Sequence, residues 1–524
     1  YLSYASCGMP WLASGDLEGP EALLQTAWRT VRDSEFFHKT KRFESRTGTE
    51  VIEIDREART ITVRDSSGQT EQHGYGTLVL ATGAHAAAAP FPAPESPLIK
   101  PFHSLADAIH FRQLAERGQV GQAVIVGGGF IGMELLESLG DLWGIEQTLV
   151  EAEDRLLPYV LDREMSDIVL RHVIGKGVTV HRNSTVERID LNDDGKPVVT
   201  VTGVGQIETD YVFTCLGARP NVALAESCGL EIGPTGAIVV DQHMRTSDPN
   251  VYAGGDCVES VNLVSGERFY LPMGSLANKH GRVIAENIAG NEATFKGALG
   301  AFVVKVFDLN VGTVGLNERV IEPAGIDHDA VWGTFSDRPT YYLEHEDITC
   351  KLLYERTTNR LLGLQAVGKG DICRRVDVTS AFLLQRATVG DLIDHEHGYA
   401  PPYSEPLDPL YHLACMAEAK ARGVTFLPPS WEQALNAGDV LLDVREPDEV
   451  DSEPLKLPET ISGVETVAIP IGDLKLRLGE LDRSRPIRTL CARGPRSYQA
   501  AITLQQAGFT DVAVVTGGLL PYLI

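Results

Sequence analysis

No stretch of the 524-residue chain reaches the roughly 18 apolar residues that a membrane-spanning helix needs, so a helical membrane span is excluded. Cations are few: 46 Lys and Arg stand against 72 Asp and Glu, for a net charge of −26. Phosphate backbones are bound by clustered cations, so nucleic acid is excluded as the main partner. Cysteines are sparse and widely spaced. Cys7, Cys215, Cys228, Cys257, Cys350, Cys373, Cys415 and Cys491 include no Cys-x-x-Cys or Cys-x-x-x-x-Cys pair. That excludes a disulfide scaffold and leaves no metal-ligand spacing, so no metal site is expected. It points to a reducing, cytoplasmic setting, with most of the thiols acting as small buried hydrophobes. The chain opens at Tyr1 without Met, and no charged segment precedes an apolar one. No signal peptide is expected, and the start reads as truncated.

What is present fits a folded α/β protein. The hydrophobic share of 43% is that of a globular chain, and the 51 glycines suit many tight turns. At about 100–200 residues per domain, the length predicts three to five domains. Residues 75–83 read as a buried strand entering a glycine turn. A second strand, Ala123 to Val126, runs into Gly127-Gly128-Gly129-Phe130-Ile131-Gly132, with helical periodicity from Met133 to Leu142 and a further strand from Gln147 to Val150. The strand Tyr211–Leu216 ends at Gly217, and residues 250–256 repeat the strand-then-glycine pattern. From about Ala301 the texture changes to alternating strands (Phe302–Val306, Ile348–Tyr354, Leu361–Val367) and a helix near Val376–Arg386, an α+β pattern with an antiparallel sheet. A helix near Leu410–Arg422 follows a proline-rich break, and Pro428-Pro429 reads as a linker. The last hundred residues return to α/β, with strands Val440–Val444, Thr466–Ile469, Ile487–Leu490 and Asp511–Val515 and a helix Ser497–Ala507.

Gly127-x-Gly129-x-x-Gly132 follows a strand, opens a helix and precedes Glu151, 24 positions beyond Gly127. This context marks a dinucleotide site. The glycines allow a tight turn and close approach of a pyrophosphate to the helix N-terminus. Glu151 can accept hydrogen bonds from the ribose hydroxyls, and its charge opposes a 2′-phosphate. NADH is therefore favoured, with Arg155 keeping NADPH open.

The strand leading to Ala81-Thr82-Gly83 and the strand leading to Gly254-Gly255-Asp256 flank this unit. Here the sequence resembles the pyridine nucleotide–disulfide oxidoreductase family, in which an NAD domain interrupts an FAD domain. The resemblance implies that Thr82, Gly83, Gly217, Gly255, Asp256 and Ser275 serve cofactor binding, with Asp256 on the flavin ribityl chain and Met273 to Ser275 near the isoalloxazine. The family's own opening strand–GxGxxG–helix is not found before Cys7. A βαβ unit takes about 30 residues, so roughly that many are expected to be missing, with FAD binding weakened in consequence.

Cys7 has no second cysteine four or five residues on. An isolated thiol cannot store two electrons as an internal disulfide. It must cycle through a mixed disulfide, a persulfide or a sulfenic acid. Ser3-x-x-x-Cys7-Gly8-x-Pro10 resembles the family's single-cysteine subgroup: coenzyme A-disulfide reductases, persulfide and polysulfide reductases, NADH oxidases and peroxidases. Tyr399-Ala400-Pro401-Pro402-Tyr403 resembles a segment of the coenzyme A branch, where a tyrosine from the partner subunit approaches the cysteine. The role passes to Tyr399 or Tyr403, between which the sequence does not choose. Ser3, Lys39 and Asn278 are candidate substrate contacts.

Leu490-Cys491-Ala492-Arg493-Gly494-Pro495-Arg496-Ser497 lies between a strand and a helix and resembles the Cys-x-x-Gly-x-Arg loop of rhodanese domains. Backbone N–H groups and a helix N-terminus around such a sulfur stabilise thiolate and persulfide, and Arg493 and Arg496 would add positive charge. Leu442-Asp443-Val444-Arg445 and Gly517-Gly518 resemble further parts of that fold.

The resemblance implies two Rossmann-like domains (FAD and NAD), an α+β dimerisation domain and a C-terminal rhodanese-like α/β domain. The expected ranges are 1–118 and 245–300 for FAD, 119–244 for NAD(P), 301–424 for dimerisation and 425–524 for rhodanese. The expected protein is a homodimeric flavoenzyme using FAD and NADH. It reduces coenzyme A disulfide, coenzyme A persulfide or polysulfide, with Cys7, Cys491, Tyr399, Tyr403 and Arg496 catalytic. Cys491 would carry sulfane sulfur towards Cys7. The alternatives are an NADH oxidase or peroxidase using a sulfenic acid, a sulfane-sulfur sensor without turnover, and an inactive fragment of an enzyme.

Overall fold

Gln122-Ala-Val-Ile-Val126 is apolar at consecutive positions, the signature of a strand covered on both faces. In the computed structural model, which describes residues 2–140 and 143–523, Ala123 to Val126 are all buried. They form the centre of a five-stranded parallel sheet ordered Ile99–Lys100, Tyr211–Thr214, Gln122–Val126, Glu146–Val150, Thr179–His181. Val124 stands between Val212 and Thr148. Burying each such Val or Ile contributes about 1.5–3 kcal/mol. The helix after the glycine loop spans Phe130–Gly140, so it opens three residues before the expected Met133; Leu142 lies outside the described residues. The turn after Gly129 is thus already helical.

The described chain divides into two units, Tyr1–Asp154 with Gly177–Ala298, and Arg155–Lys176 with Leu299–Ile524. Besides the parallel sheet, the first unit holds two three-stranded antiparallel ribbons absent from the sequence reading. These are Thr49–Asp55, Thr60–Asp65, Thr70–Gly74 and Val186–Leu191, Pro197–Val201, Gly205–Glu208. Their outward positions are polar and charged, which dilutes the apolar signal. The expected 75–83 strand contracts to Leu78–Leu80, paired in parallel with Val251–Ala253.

The second unit contains an antiparallel sheet of five strands ordered Phe302–Val306, Leu309–Gly315, Leu361–Gly368, Asp347–Glu355, His328–Ser336. Two of these, Leu309–Gly315 and His328–Ser336, extend the sheet beyond the three expected strands. The helices Cys373–Leu384 and Pro409–Ala421 cover it. At its heart Lys351 is fully buried, its Nζ 2.8, 2.6 and 2.7 Å from carboxylate oxygens of Asp162, Glu164 and Glu318. Trp332 Nε1 donates to Glu164 at 2.8 Å and Gln365 Nε2 to Asp162 at 2.6 Å. Burial disfavours the ammonium, but the three carboxylates outweigh it and hold its pKa above the ordinary lysine value.

The same unit ends in a parallel sheet ordered Thr425–Leu427, Val512–Val515, Ile487–Leu490, Val440–Asp443, Glu465–Ala468. The strand Thr425–Leu427 precedes Pro428-Pro429, so the prolines lie inside this sheet's chain and not in a linker ahead of it. Among the described residues no helix is long and apolar enough to cross a membrane. Four cysteines are buried, Cys215, Cys257, Cys350 and Cys491, whereas Cys7 and Cys373 are exposed. Cys373 departs from the expected buried role.

Candidate active sites

The three motif glycines have different physical reasons. Gly127 has φ 108°, and a Cβ there would lie 2.3 Å from the Cys215 carbonyl oxygen; a Cβ on Gly132 would lie 2.1 Å from the Gly127 oxygen. Both are required by the fold itself. A Cβ on Gly129 would meet nothing within 4 Å. The loop is therefore folded tightly on two glycines and keeps open space above the third, at the head of the Phe130–Gly140 helix. That is the geometry a pyrophosphate needs.

Glu151, buried at the end of its strand, accepts the Gly128 backbone N–H at 2.6 Å through Oε2 and the Glu153 N–H at 2.8 Å through Oε1. Its carboxylate thus braces the loop. Gly128 is a participant that the motif did not single out, because its side-chain-free position is unremarkable among three consecutive glycines.

Thr82 and Gly83 lie after the Leu78–Leu80 strand. Thr82 Oγ1 donates to the Asn221 carbonyl at 2.6 Å, Asn221 Nδ2 returns a bond to the Thr82 carbonyl at 2.8 Å, and the Asn221 N–H donates to the Gly83 carbonyl at 2.9 Å. Gly83 and Gly217 take φ 66° and 90°, and the Gly217 carbonyl accepts from Ala87 N–H. Asn221 was invisible as a partner, being 139 residues from Thr82.

Gly255 has φ 82° and donates its N–H to His280 Nδ1 at 3.2 Å. Burial lowers the His280 pKa to about 4, with the Lys279 charge adding to it, so the ring is neutral and able to accept that bond. The Asp256 carboxyl is half-buried and burial raises its pKa; Tyr270 Oη donates to the Asp256 carbonyl at 2.9 Å. Ser275 is exposed in the first turn of the Gly274–Ile288 helix, and Asn278 Nδ2 bonds the Gly274 carbonyl at 2.8 Å. A glycine turn that presents the half-buried Asp256 carboxyl as an acceptor suits the hydroxyls of a ribityl chain. The residues present therefore fit that portion of FAD.

Cys7 is exposed in a short 3-10 turn, Ser6–Gly8, that leads into the Met9–Ser14 helix. Gly8 is close-packed: a Cβ there would lie 2.4 Å from the Leu23 side chain. Ala5 N–H donates to the Leu23 carbonyl at 2.9 Å, and Leu12 and Ala13 are fully buried. The Met9–Ser14 helix packs on the Leu105–Glu116 and Phe130–Gly140 helices, and Trp143 Nε1 caps the Ala13 carbonyl at 2.8 Å. The thiol is thus anchored to the helix that carries the glycine loop. Ser3 is half-buried nearby in the chain. Lys39 is exposed and forms a surface pair with Glu35, 2.5 Å away on the Ser34–Lys41 helix.

In the second unit, Tyr399 and Tyr403 are 51% and 69% exposed on a loop whose backbone is pinned. Arg374 donates to the Tyr403 carbonyl at 2.8 Å, Ser404 Oγ to the Gly398 carbonyl at 3.2 Å, and fully buried Arg375 pairs with Asp408 at 2.9 Å. The loop is held and the phenols are displayed.

Cys491 ends the Ile487–Leu490 strand's run and is 1% exposed. Gly494 N–H, with φ 130° at that residue, donates to its Sγ at 3.0 Å. A Cβ on Gly518 would lie 2.3 Å from the Cys491 carbonyl oxygen, so the glycine turn packs against the backbone of this loop. Both arginines of the loop are paired with carboxylates. Arg496 is held in a fork by Glu449 at 2.5 and 2.6 Å, and Arg493 by Asp347 at 2.7 Å. Arg496 still feels the Cys491 sulfur electrostatically. Its hydrogen bond depresses the Glu449 carboxyl to about 2. Glu449 caps its own helix, Pro447–Ser452, by accepting the Glu446 N–H at 2.9 Å; the Glu446-x-x-Glu449 spacing around Pro447 was the signal that would have found it. Asp443 and Arg445, both buried, form a bonded pair at 2.7 Å beside this helix.

Comparison with known proteins matches these regions one by one. Residues 6–268 match the model of the pyridine nucleotide-disulphide oxidoreductases, 302–410 that of their dimerisation domain and 428–523 the rhodanese-like domain. A NAD(P)H sulfur oxidoreductase (CoA-dependent) from Pyrococcus abyssi is 34% identical over 419 residues, 79% of this chain and 90% of its own length. Two solved structures are similar over 100% of this chain. An NAD-dependent persulfide reductase from A. fulgidus has a TM-score of 0.93 at 36% identity and is covered over 93%. Reduced Bacillus anthracis CoADR-RHD has a TM-score of 0.87 at 30% identity and is covered over 91%. The α/β fold thus comprises Rossmann-type domains, a dimerisation domain and a rhodanese domain, and the family implies FAD and NAD(P)H. The glycine loop braced by Glu151, the turn at Gly254 to Asp256 and these matches together make this chain a member of the pyridine nucleotide-disulphide oxidoreductase family.

Proposed function

We propose that this chain reduces the sulfane sulfur of coenzyme A persulfide, or the related disulfide and polysulfide, at the expense of NADH, with Cys7 as the redox thiol and Cys491 as sulfur carrier. The observation that carries the reading is the presence in one chain of two thiols of opposite design. Cys7 is exposed and without a nearby second cysteine. Cys491 is enclosed in a loop that aims a backbone N–H at its sulfur. The names of the P. abyssi, A. fulgidus and B. anthracis relatives support it.

The overall change is R–S–S–H + NADH + H⁺ → R–SH + H₂S + NAD⁺. The Cys7 thiolate attacks the sulfane sulfur, the donor's S–S bond breaks, and a Cys7 persulfide forms as R–S⁻ leaves. A phenol of Tyr399 or Tyr403, supplied across a homodimer, protonates that leaving thiolate. FAD, when bound, supplies the two-electron relay between nicotinamide and thiol. Thr82, Gly83, Gly217, Gly255, Asp256 and Ser275 hold it, and Gly127, Gly129, Gly132 and Glu151 hold the dinucleotide. Glu151 favours NADH, because a 2′-phosphate meets a buried carboxylate. Ser3 and Asn278 contact substrate. At Cys491 the Gly494 N–H donates to Sγ and stabilises the thiolate that takes up sulfane sulfur, and Arg496 is a positioning residue.

The test is anaerobic NADH oxidation by FAD-loaded protein with coenzyme A persulfide, coenzyme A disulfide and polysulfide. Turnover lost in Cys7→Ser supports the reading. Turnover that survives in Cys7→Ser, or NADH loss only with oxygen, overturns it in favour of an oxidase.

A further inference from the structure

Arg493 and Arg496 both stand in the sulfur loop that begins at Cys491, and each meets a carboxylate. The two carboxylates come from different places. Glu449 lies within the region that matches the rhodanese-like domain. Asp347 does not. It opens the Asp347–Glu355 strand of the antiparallel sheet, inside the region that matches the dimerisation domain, 146 residues from Arg493. A residue from outside the rhodanese-like domain thus sets the charge on its sulfur loop.

Asp347 is firmly placed. It pairs with Ser336 at the end of the neighbouring strand, and its carbonyl accepts the Lys369 N–H at 3.1 Å. A Cβ on Gly368 would lie 2.3 Å from that carbonyl oxygen, so the strands close here because residue 368 is glycine. The carboxylate meets Arg493 Nη1 at 2.7 Å, and both side chains are half-buried. Arg493 also lines a cavity of about 620 Å³ whose walls are mostly apolar, with Phe335, Leu407, Met416 and Phe426 prominent. Among the described residues lining it, Arg493 is the one lysine or arginine and Glu405 the one carboxylate. Charge against such walls is screened less than in open water.

Two residues of chain span at most about 7 Å, so the backbone of Arg493 lies within a Debye length, about 8–10 Å, of that of Cys491. An anion that approaches the sulfur therefore feels the state of this arginine. An unpaired guanidinium would draw a dianion more strongly than a monoanion. Paired with Asp347, it carries no net charge to do so.

We propose that Asp347 is a specificity-determining residue that the dimerisation domain contributes to the sulfur loop, and that by neutralising Arg493 it selects against multiply charged donors at Cys491. This rests on the reading of Cys491 as sulfur carrier and deepens it by assigning the charge class that the site refuses. In the transfer the Cys491 thiolate attacks the outer sulfur of a thiosulfonate-type donor. The donor's S–S bond breaks, an S–S bond to Cys491 forms, and sulfite or a sulfinate leaves with the electron pair. Cyanide then takes the outer sulfur as thiocyanate and the thiolate returns. No further oxidant or reductant is consumed.

The experiment uses the full chain, cyanide as final acceptor and two donors that differ by one charge at the same reacting bond, thiosulfate and methanethiosulfonate. Asp347→Asn is expected to raise the thiosulfate to methanethiosulfonate ratio of kcat/KM by roughly fivefold or more, through a lower KM for thiosulfate. The gain should shrink near about 1 M salt, where the Debye length is about 3 Å. Asp347→Glu should keep the wild-type ratio. Arg493→Gln added to Asp347→Asn should abolish the gain, because the effect passes through that guanidinium. Each ratio is taken within one preparation, so a loss of folded protein cancels. A ratio unchanged in Asp347→Asn, or a gain that survives Arg493→Gln, overturns the proposal. Where wild type shows Cys7-dependent NADH oxidation and thiocyanate formation lost in Cys491→Ser, either result overturns the Asp347 assignment alone. No thiocyanate from either donor, in wild type and in Asp347→Asn, overturns the carrier role of Cys491 and this inference together.

Discussion

The Glu151 carboxylate accepts the Gly128 backbone N–H across 2.6 Å, tying the acidic end of one strand to the glycine loop of its neighbour. One side chain therefore serves both loop shape and nucleotide choice, and the two roles separate by substitution. Glu151→Gln keeps an acceptor for the Gly128 N–H while removing the charge, and gives up the bond to the Glu153 N–H. It is expected to raise the NADPH to NADH ratio of kcat/KM by roughly tenfold, the effect of about 1.4 kcal/mol. Glu151→Ala should weaken both coenzymes, because the loop loses its brace.

The glycines of the same loop differ in kind, and thermal melting with NADH titration separates them. Gly132→Ala forces a Cβ to 2.1 Å from a backbone oxygen, so a drop in Tm and a poor yield of folded protein are expected. Gly129→Ala has room for its methyl group and should keep the wild-type Tm. Its NADH affinity should fall tenfold or more, since the methyl occupies the space above the helix N-terminus. Equal Tm losses in the two variants would contradict this assignment.

His280 supplies a pH dependence. Its folded pKa, lowered to about 4 by burial and by Lys279, lies below the ordinary value of 6.5. The unfolded chain then binds more protons between those values, so stability rises with pH across that window. The contribution is complete above about pH 6.5 and is lost as pH falls towards 4. Melting temperature followed from pH 7 to 4 should decline more steeply in wild type than in His280→Asn, which keeps a polar acceptor without titrating.

Glu449 gives a second window at lower pH. Its carboxyl, held at about 2 by the Arg496 hydrogen bond, lies below the ordinary 4.5, so its contribution is present above about pH 4.5 and is lost as pH falls towards 2. At neutral pH, Glu449→Gln releases Arg496 from its fork. The expected result is a several-fold change in KM for thiosulfate together with a lower Tm, since the carboxylate's contribution is lost. An unchanged KM would show that Arg496 does not position the sulfur site.

Lys351 is the most sensitive position for stability. Lys351→Met leaves Asp162, Glu164 and Glu318 together without their cation, and breaking such a buried set costs about 3–5 kcal/mol. Urea denaturation of the second unit's signal should show a loss of that order at neutral pH. The triple change of the carboxylates to amides together with Lys351→Met should recover part of it.

The strand–glycine–helix run at 122–140 and the Cys491 loop were legible because each function depends on local backbone geometry, which leaves a short motif. The ribbon at Thr49–Gly74 was not, since its strands are polar on their outer positions. The extra strands Leu309–Gly315 and His328–Ser336 were missed because glycine and asparagine interrupt their apolar pattern. Cys7 stood out by its neighbours Gly8 and Pro10, and the structure exposes its thiol. The partners that tune the sites were not: Asn221, His280, Asp347 and Glu449 come from distant segments, and pairing across such separations has no sequence period. Arg493 and Arg496 show the limit most plainly. The sequence showed that they add positive charge beside the sulfur, and folding supplied each with a carboxylate.

The quartet around Lys351 also bears on how this chain can vary. Lys351 is replaceable only in company, because its loss strands the carboxylates of Asp162 and Glu164 in a dry interior. Codons spread from position 162 to position 351 are in effect one heritable character. Lineages that lost the lysine should have changed its buried carboxylates with it, and chimaeras that join the first part of one such lineage to the second part of another should fail at this point before they fail at either active site.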